Sequence, residues 1–383
     1  METQENPLVS IWIPVFNGAR LISKALESSI NQTYRNIEVV VFDDASTDNT
    51  RDEVARYVQK DKRVKYFRTE KNLGINKSYP RILELCSGDL ALMLCCDDWL
   101  SRDFIEECVK IFIKRPNVGA VTGRVLSIME NEGKYFFMRE PEIKSGIYTR
   151  GYFGRNAYKT FITSMIILGL VRRKDALQAV CWLNEFIAHP PSEINNELRA
   201  LMEHEYGSEF VFCSKIVAKY DYLFVSDKAV LLKTENSLEH YMTHKGSMKL
   251  RVEFGLLENT ARSILKFYYY SRKLYDAFFK DDWKEYISTM RIFFGAEAIT
   301  TIIVKTIKRH FSSDFLKGFD THRDLGVLFE GYSICERISS VLFVPMRLIQ
   351  RWFDWLSRNL FKKTKPDIYI GNYFLNNQKK FSV

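Results

Sequence analysis

Three apolar runs in the first hundred residues, at 8–13, 37–42 and 90–96, constrain this chain most. Each ends on a polar or acidic tip, and each is followed by a helical pattern. Runs of this length, dominated by Val, Ile, Leu and Met, suit strands buried on both faces in a parallel sheet. Amphipathic helices are expected at about 20–31 and 48–60, a short strand at 64–67, and another helix after the loop at 72–76. Strands and helices alternating at this spacing predict βαβ units, and so an α/β fold with a mainly parallel central sheet flanked by helices. Ligands of open α/β sheets bind beyond the carboxyl ends of the strands. The tips bearing Asp43, Asp44, Asp97 and Asp98 should therefore share one crevice. Adjacent carboxylates repel unless a cation lies between them, and a divalent metal carrying phosphates is the usual partner. The other reading is local: Asp98 caps a helix expected over 101–114.

Past residue 115 the pattern loosens. Strands are expected at 118–128, 164–172 and 222–225, helices at 175–186 and 211–219, and a loop-rich, aromatic stretch at 130–155. The length of 383 residues with 46% hydrophobic content supports a large packed core. The formal charge of +9 is one-sided, because residues 236–383 hold 24 Lys/Arg against 15 Asp/Glu while the first 235 hold 32 of each. Such asymmetry predicts an anionic partner surface for the carboxy-terminal part. Seven cysteines without a C-x-x-C pair argue against a disulfide framework and a zinc site. The polar, acidic start Met1-Glu2-Thr3-Gln4-Glu5-Asn6 lacks the order of a signal peptide, and the charge-free apolar runs are short for a membrane span, so a cytoplasmic location is expected.

Four elements taken together carry a resemblance. Ser10-Ile11-Trp12-Ile13-Pro14-Val15-Phe16-Asn17, Asp43-Asp44-Ala45-Ser46-Thr47-Asp48, Asn72-Leu73-Gly74 and Asp97-Asp98 resemble the family 2 glycosyltransferases of GT-A fold, over about the first third of the chain. The resemblance implies that Pro14, Val15, Phe16 and Asp43 cradle the base of a sugar nucleotide, with Asp43 accepting from uracil. It extends the nucleotide site to Asn17, Asp44, Asn72 and Gly74. It gives Asp97 to the ribose, and Asp97 with Asp98 to a Mn²⁺ or Mg²⁺ on the diphosphate. Lys77 either offers charge to a phosphate or is a solvated helix residue. Displacing a nucleoside diphosphate also needs a base for the acceptor hydroxyl. The stretch Glu203-His204-Glu205-Tyr206-Gly207-Ser208-Glu209-Phe210 resembles the family's acceptor-side acid, with Glu209 first and Glu205, Glu203 and His204 behind it; all four could equally be solvated loop or cap residues.

Three positions depart from the family pattern. Cys95 stands where the first aspartate of Asp-x-Asp-Asp is usual, Phe210 where an aspartate follows the catalytic acid, and Thr234 where a histidine precedes Glu235-Asn236-Ser237. His240 or His244 is a possible stand-in for that histidine. Cys95 and Cys96 are read as strand packing, since Mn²⁺ and Mg²⁺ take oxygen ligands.

Further on, helices are expected over 254–279, 283–294 and 296–311, together with an amphipathic helix at about 345–363. In the last of these, Leu348, Ile349, Trp352, Phe353, Trp355, Leu356 and Leu360 share one arc and Arg347, Arg351, Asp354 and Arg358 lie opposite, as in a helix lying in a membrane interface. The bulky apolar face argues against nucleic acid.

The expected organisation is a nucleotide-sugar half at 1–120, an acceptor half at 121–245, and a helical, basic extension at 246–383. The expected function is inverting transfer from a UDP- or dTDP-linked sugar to a hydroxyl of a surface polysaccharide, such as O-antigen or capsule, or of a lipid-linked oligosaccharide, peripherally at the inner face of the cytoplasmic membrane. The rival is a catalytically inactive GT-A scaffold acting as a membrane-associated binding subunit.

Overall fold

The computed structural model describes residues 6–131, 134–139, 145–152, 168–192, 208–220, 222–234, 260–279, 284–308 and 319–360, with a few single positions between them. In parts of these, among them 208–211, 232–234 and 353–360, only the backbone is described.

The apolar runs form the first strands, β1 (Val9–Val15), β2 (Ile37–Asp43) and β4 (Leu90–Met93), with β3 (Val64–Arg68) at the edge. They pair in parallel in the order β3-β2-β1-β4. Beyond β4 the sheet is mixed. It continues through β9 (Leu170–Arg172), β6 (Val118–Asn131) and β10 (Tyr222–Thr234) to the two-residue β5 (Trp99–Leu100). β9 runs antiparallel to both β4 and β6. β7 (Lys134–Arg139) pairs with β6 and β8 (Gly146–Thr149) with β10, which puts strands in the stretch expected to be loop. β10 runs well past the expected 222–225. Of the strand expected at 164–172, residues 164–167 lie outside the described residues. The divide expected at 120/121 falls inside β6, so both halves share one sheet and one core.

Helices cover both faces. α1 (Ile22–Ile30), α2 (Thr50–Lys60) and α4 (Phe104–Lys114) lie on one side; α3 (Ile75–Leu85), α5 (Arg173–Ala188) and α6 (Ser208–Lys219) lie on the other. Trp12 of β1 is 1% exposed and meets Tyr79 of α3 edge-on at 5.0 Å between ring centroids.

At the amino edge of the sheet one buried carboxylate ties three strands together. Glu38 accepts from Ser10 Oγ at 2.6 Å, Lys65 Nζ at 2.6 Å, Ser87 N at 2.5 Å and Gly88 N at 3.2 Å. Burial pushes its pKa up, but the Lys65 and Ser10 bonds and the Ser87 amide outweigh that and hold it below the usual glutamate value. Gly88 is required here, because a Cβ would sit 2.7 Å from Ser10 N and 2.8 Å from Leu8 O.

The carboxy-terminal part is helical: α7 (Ala261–Phe279), α8 (Ile287–Lys308), α9 (Thr321–Leu328) and α10 (Ile334–Leu360). Two sequence expectations are corrected here. The helices expected at 283–294 and 296–311 are one, because Gly295 is not a break but a crossing point, where a Cβ would meet Ser340 Oγ at 2.6 Å and Phe329 Cε1 at 2.9 Å. The amphipathic helix starts at Ile334, with Pro345 inside it, and its basic side faces the protein. Arg347, 8% exposed, binds Glu297 of α8 at 2.5 and 2.8 Å, and Arg351 binds the same carboxylate.

α8, with the residues just before it, is long and apolar enough to cross a membrane by length and composition alone. Two of its charged residues are matched inside the protein, Glu297 by α10 and Arg291 by Asp276 at 2.9 Å, as in a packed helix. Residues 361–383, with Lys362, Lys363 and Lys365, lie outside the described residues.

Candidate functional site

The strand order 3-2-1-4 fixes where a ligand can enter. From β1 the chain steps to β2 on one side, while β4 joins on the other, so the topological switch point lies between β1 and β4 at their carboxyl ends. Pro14–Asn17 follow β1 at this point, and residues 94–98 follow β4.

The loop after β1 is laced to the loop after β2. Asn17 N donates to Ser46 Oγ at 2.9 Å, and Thr47 N donates back to Asn17 Oδ1 at 2.7 Å. Gly18 N donates to Thr50 Oγ1 at 3.0 Å and Ala19 N to Asp48 Oδ2 at 3.0 Å. Asp48 also accepts from Thr50, and these bonds hold its carboxyl below the usual range despite the upward push of burial. Asn17 and Ala45 adopt positive φ, of 54° and 64°, a conformation asparagine tolerates better than most residues.

The two aspartates ending β2 differ in their surroundings. Asp43 is fully buried. Its Oδ1 accepts from Ser46 N at 2.7 Å, its Oδ2 accepts from Tyr66 OH at 2.5 Å, and Arg68 Nε lies 3.6 Å away. Burial and the Asp43 charge both raise the Tyr66 phenol, which stays protonated as the donor. Asp44 holds the next loop: Oδ1 accepts from Leu73 N at 2.8 Å and Thr69 Oγ1 at 3.2 Å, and Oδ2 from Gly74 N at 2.9 Å. Asn72 Nδ2 returns a bond to Asp44 O at 3.2 Å. Gly74, at φ 78°, then starts α3, on which Lys77 is exposed.

At β4 the strand stops at Met93 and the chain turns, with Asp98 N donating to Cys95 O at 3.1 Å. The helix-cap reading of Asp98 is corrected: α4 begins at Phe104 behind Asp103, and β5 lies between. Asp98 is instead 1% exposed at the sheet edge. Both cysteines pack on the core as expected, Cys96 within it and Cys95 against it. Cys96 is buried beneath Gly18, whose Cβ position is 3.2 Å from its Sγ, so it packs as expected. Burial, and then the charges of Asp97 and Asp98, push its thiol far up, so it is no thiolate. Cys95 is half-buried and faces the acids: its Sγ and one oxygen each of Asp97 and Asp98 lie within 4.8 Å of one another. This donor set, two hard carboxylates and one soft sulfur, suits a divalent cation with open positions for phosphate oxygens and water.

The structure thus gathers Pro14, Val15, Phe16, Asn17, Asp43, Asp44, Asn72, Gly74, Asp97 and Asp98 at one edge. Asp43 ends β2 and the Asp97–Asp98 tip follows β4, the neighbours of β1 on its two sides. Tyr66 and Arg68 were missed in the sequence; the signal was the parallel register that sets Arg68 beside Asp43. Glu209 falls in the first turn of α6, and its side chain lies outside what is described. Lys219 at the other end of α6 pairs with Asp175, close to Arg173, whose Nε donates to Gly88 O at 2.7 Å on the amino edge. α6 therefore runs back across the sheet, and its start lies towards the carboxyl edge, where the acids are. Glu203, His204, Glu205, His240 and His244 lie outside the described residues, as does the side chain of Thr234.

Comparison with known proteins gives a family model, Glycosyl transferase family 2, that matches residues 10–176. The chain is 33% identical over 129 residues to the glycosyltransferase GlyA of Streptococcus pneumoniae, covering 34% of this chain and 18% of that one. It is 36% identical over 115 residues to the chondroitin synthase of Escherichia coli, covering 30% of this chain and 17% of that one. The matched stretch is thus less than a fifth of either relative. The crystal structure of S. aureus TarS 1–349 in complex with UDP aligns with a TM-score of 0.50 at 13% identity, over 90% of this chain and 88% of that one, a likeness of fold.

Proposed function

We propose, from the premise that residues 10–176 are a glycosyl transferase family 2 domain of GT-A fold, that the chain transfers a sugar from a UDP- or dTDP-linked donor to a hydroxyl of a surface polysaccharide or lipid-linked oligosaccharide. The observation that carries this is the Cys95–Asp97–Asp98 tip at the switch point, beside the laced loops after β1 and β2. The base of the nucleotide sits by Pro14, Val15, Phe16 and Asp43, with Asn17, Asp44, Asn72 and Gly74 shaping the loops around it. The ribose and diphosphate reach Asp97, and Lys77 approaches a phosphate from α3.

Asp97 and Asp98 would hold the cation. When bound, Mn²⁺ or Mg²⁺ neutralises charge on the departing diphosphate. Glu209 takes the acceptor proton as the hydroxyl oxygen attacks the anomeric carbon from the face opposite the leaving group. The bond from that carbon to the phosphate oxygen breaks as the new glycosidic bond forms, and the configuration inverts. Positioned proton transfer of this kind contributes about 10²–10⁴-fold. The organisation proposed is a nucleotide half at 1–120, an acceptor half at 121–245 and a basic helical region after 246. That region places the protein peripherally on an anionic membrane at its cytoplasmic face.

To test the reading, the purified protein is incubated with a panel of nucleotide sugars and Mn²⁺, and hydrolysis or transfer is measured. Turnover with one donor, abolished in Glu209→Gln and Asp98→Asn, supports it. Absence of donor binding at millimolar concentration overturns it.

A further inference from the structure

α10 is amphipathic in the opposite sense to a helix that serves only to pack on its own protein. The face turned towards α8 carries the polar groups, beside Phe343 on Phe293 and the buried Val344: Glu336, Ser340 and Arg347 are buried there, Arg347 and Arg351 share Glu297, and Arg351 also donates to Thr301 Oγ1 at 2.7 Å. The face turned away is apolar: Ile334, Ile338, Leu342, Met346, Ile349 and Trp352 are each between 51% and 76% exposed. At 100° per residue they fall within an arc of about 120°, over a length of about 27 Å. From Ile334 to Trp352 no charged residue enters that arc. Among the described residues, most of the exposed large hydrophobics belong to this one helix. Scattered apolar residues on a surface need no explanation, but a continuous stripe marks an interaction site.

We propose that this outward stripe of α10 is the membrane-binding surface, lying in the headgroup–acyl boundary of an anionic leaflet. The inference deepens the peripheral location proposed above, and it extends the apolar arc expected at 345–363 back to Ile334. Charge selects the occupant. The protein's net excess of nine positive charges lies in residues 236–383, and exposed Arg337 flanks the stripe. An anionic leaflet attracts such a region, whereas a second copy of the chain would bring like charge against like. The Glu297 pairing keeps the arginines Arg347 and Arg351 turned inward, so the stripe stays outward without needing lipid to orient it.

The test uses the full chain, vesicles of phosphatidylcholine with or without phosphatidylglycerol, and the triple variant Ile338→Glu, Leu342→Glu, Ile349→Glu. These side chains are exposed, so the melting temperature should be unchanged. The wild type is expected to sediment with anionic vesicles, less so at high salt, and the variant to lose at least 10-fold in binding. Donor turnover in solution is measured on both proteins and should be equal. Failure of turnover in both, with vesicle binding still lost only in the variant, would overturn the transferase reading and leave this inference standing. Equal vesicle binding by variant and wild type overturns the inference. So does a wild type that ignores vesicles, or one that self-associates at micromolar concentration through contacts the variant dissolves.

Discussion

Replacing Cys95 with aspartate probes the proposed cation site without relying on turnover. The thiol and the two carboxylates have ligand atoms within 4.8 Å of one another, so Cys95→Asp adds two like-charge pairs. At that separation and an effective dielectric of about 20, each pair costs about 3.5 kcal/mol. Solvent reaches the half-buried position and screens the charge, which reduces the sum to roughly 2 kcal/mol. Without divalent cations the variant should therefore melt a few degrees below the wild type. With Mn²⁺ or Mg²⁺ the third carboxylate becomes a ligand, and binding to the folded state alone stabilises it by mass action. The deficit should close, and the gain should be larger for Mg²⁺, which demands oxygen, than for thiophilic Cd²⁺, which loses its sulfur. The assay is a melting curve for wild type and variant across a titration of each metal. If neither protein shifts up to 10 mM of any of the three ions, the tip is not a cation site.

Three further outcomes are expected, the first from the role proposed for Glu209 and the others from the geometry. Glu209→Gln should lower kcat by about 10²–10⁴ while leaving donor affinity within a few-fold, checked by calorimetry and initial rates. Asp44→Ala removes three hydrogen bonds and strands the Leu73 amide, while Gly74 N keeps Asn72 Oδ1 and Thr69 Oγ1 keeps Asp43 O; at about 1 kcal/mol per lost bond it should cost about 2–3 kcal/mol, read as faster amide exchange at Leu73 and a lower melting temperature. Glu38 has a folded pKa below its ordinary 4.5, so its contribution to stability is fully present above pH 4.5 and is lost as the pH falls through the depressed value. Melting curves from pH 6 to 3 should therefore fall more steeply for the wild type than for Glu38→Gln.

The parallel half of the sheet was legible because β1, β2 and β4 are buried on both faces, so composition alone separates them from the helices between. Their common edge followed from the connection rule. What pairs with what at the tips was not legible. Past Met93 no periodicity remains, and nothing in two consecutive cysteines says that one tucks under Gly18 while the other faces the acids. Asp43's partners come from β3, whose contribution depends on register and not on any motif. In the carboxy-terminal part, glycine and proline misled: Gly295 lets two helices approach, and Pro345 sits on the outward side of α10. A helical wheel separated the apolar arc from the basic one correctly. It could not say which of them meets the protein, because that is decided by the position of Glu297 on another helix.

α8 belongs to two cores at once. Met290 and Phe294 join the core of the sheet, while Ala298 and Ile302 lie in the cluster formed with α7 and α9. A span of twelve residues, about 18 Å of helix, is therefore a rigid spacer between crevice and tail. α10 lies alongside this same span, Glu336 at Arg291, Ser340 at Gly295 and Arg351 at Thr301, so it rides on α8 across the joint between the two cores. A turn inserted into α8 between Phe294 and Ala298 would shift one core against the other by about 5 Å and pull Glu297 out of line with Arg347 and Arg351.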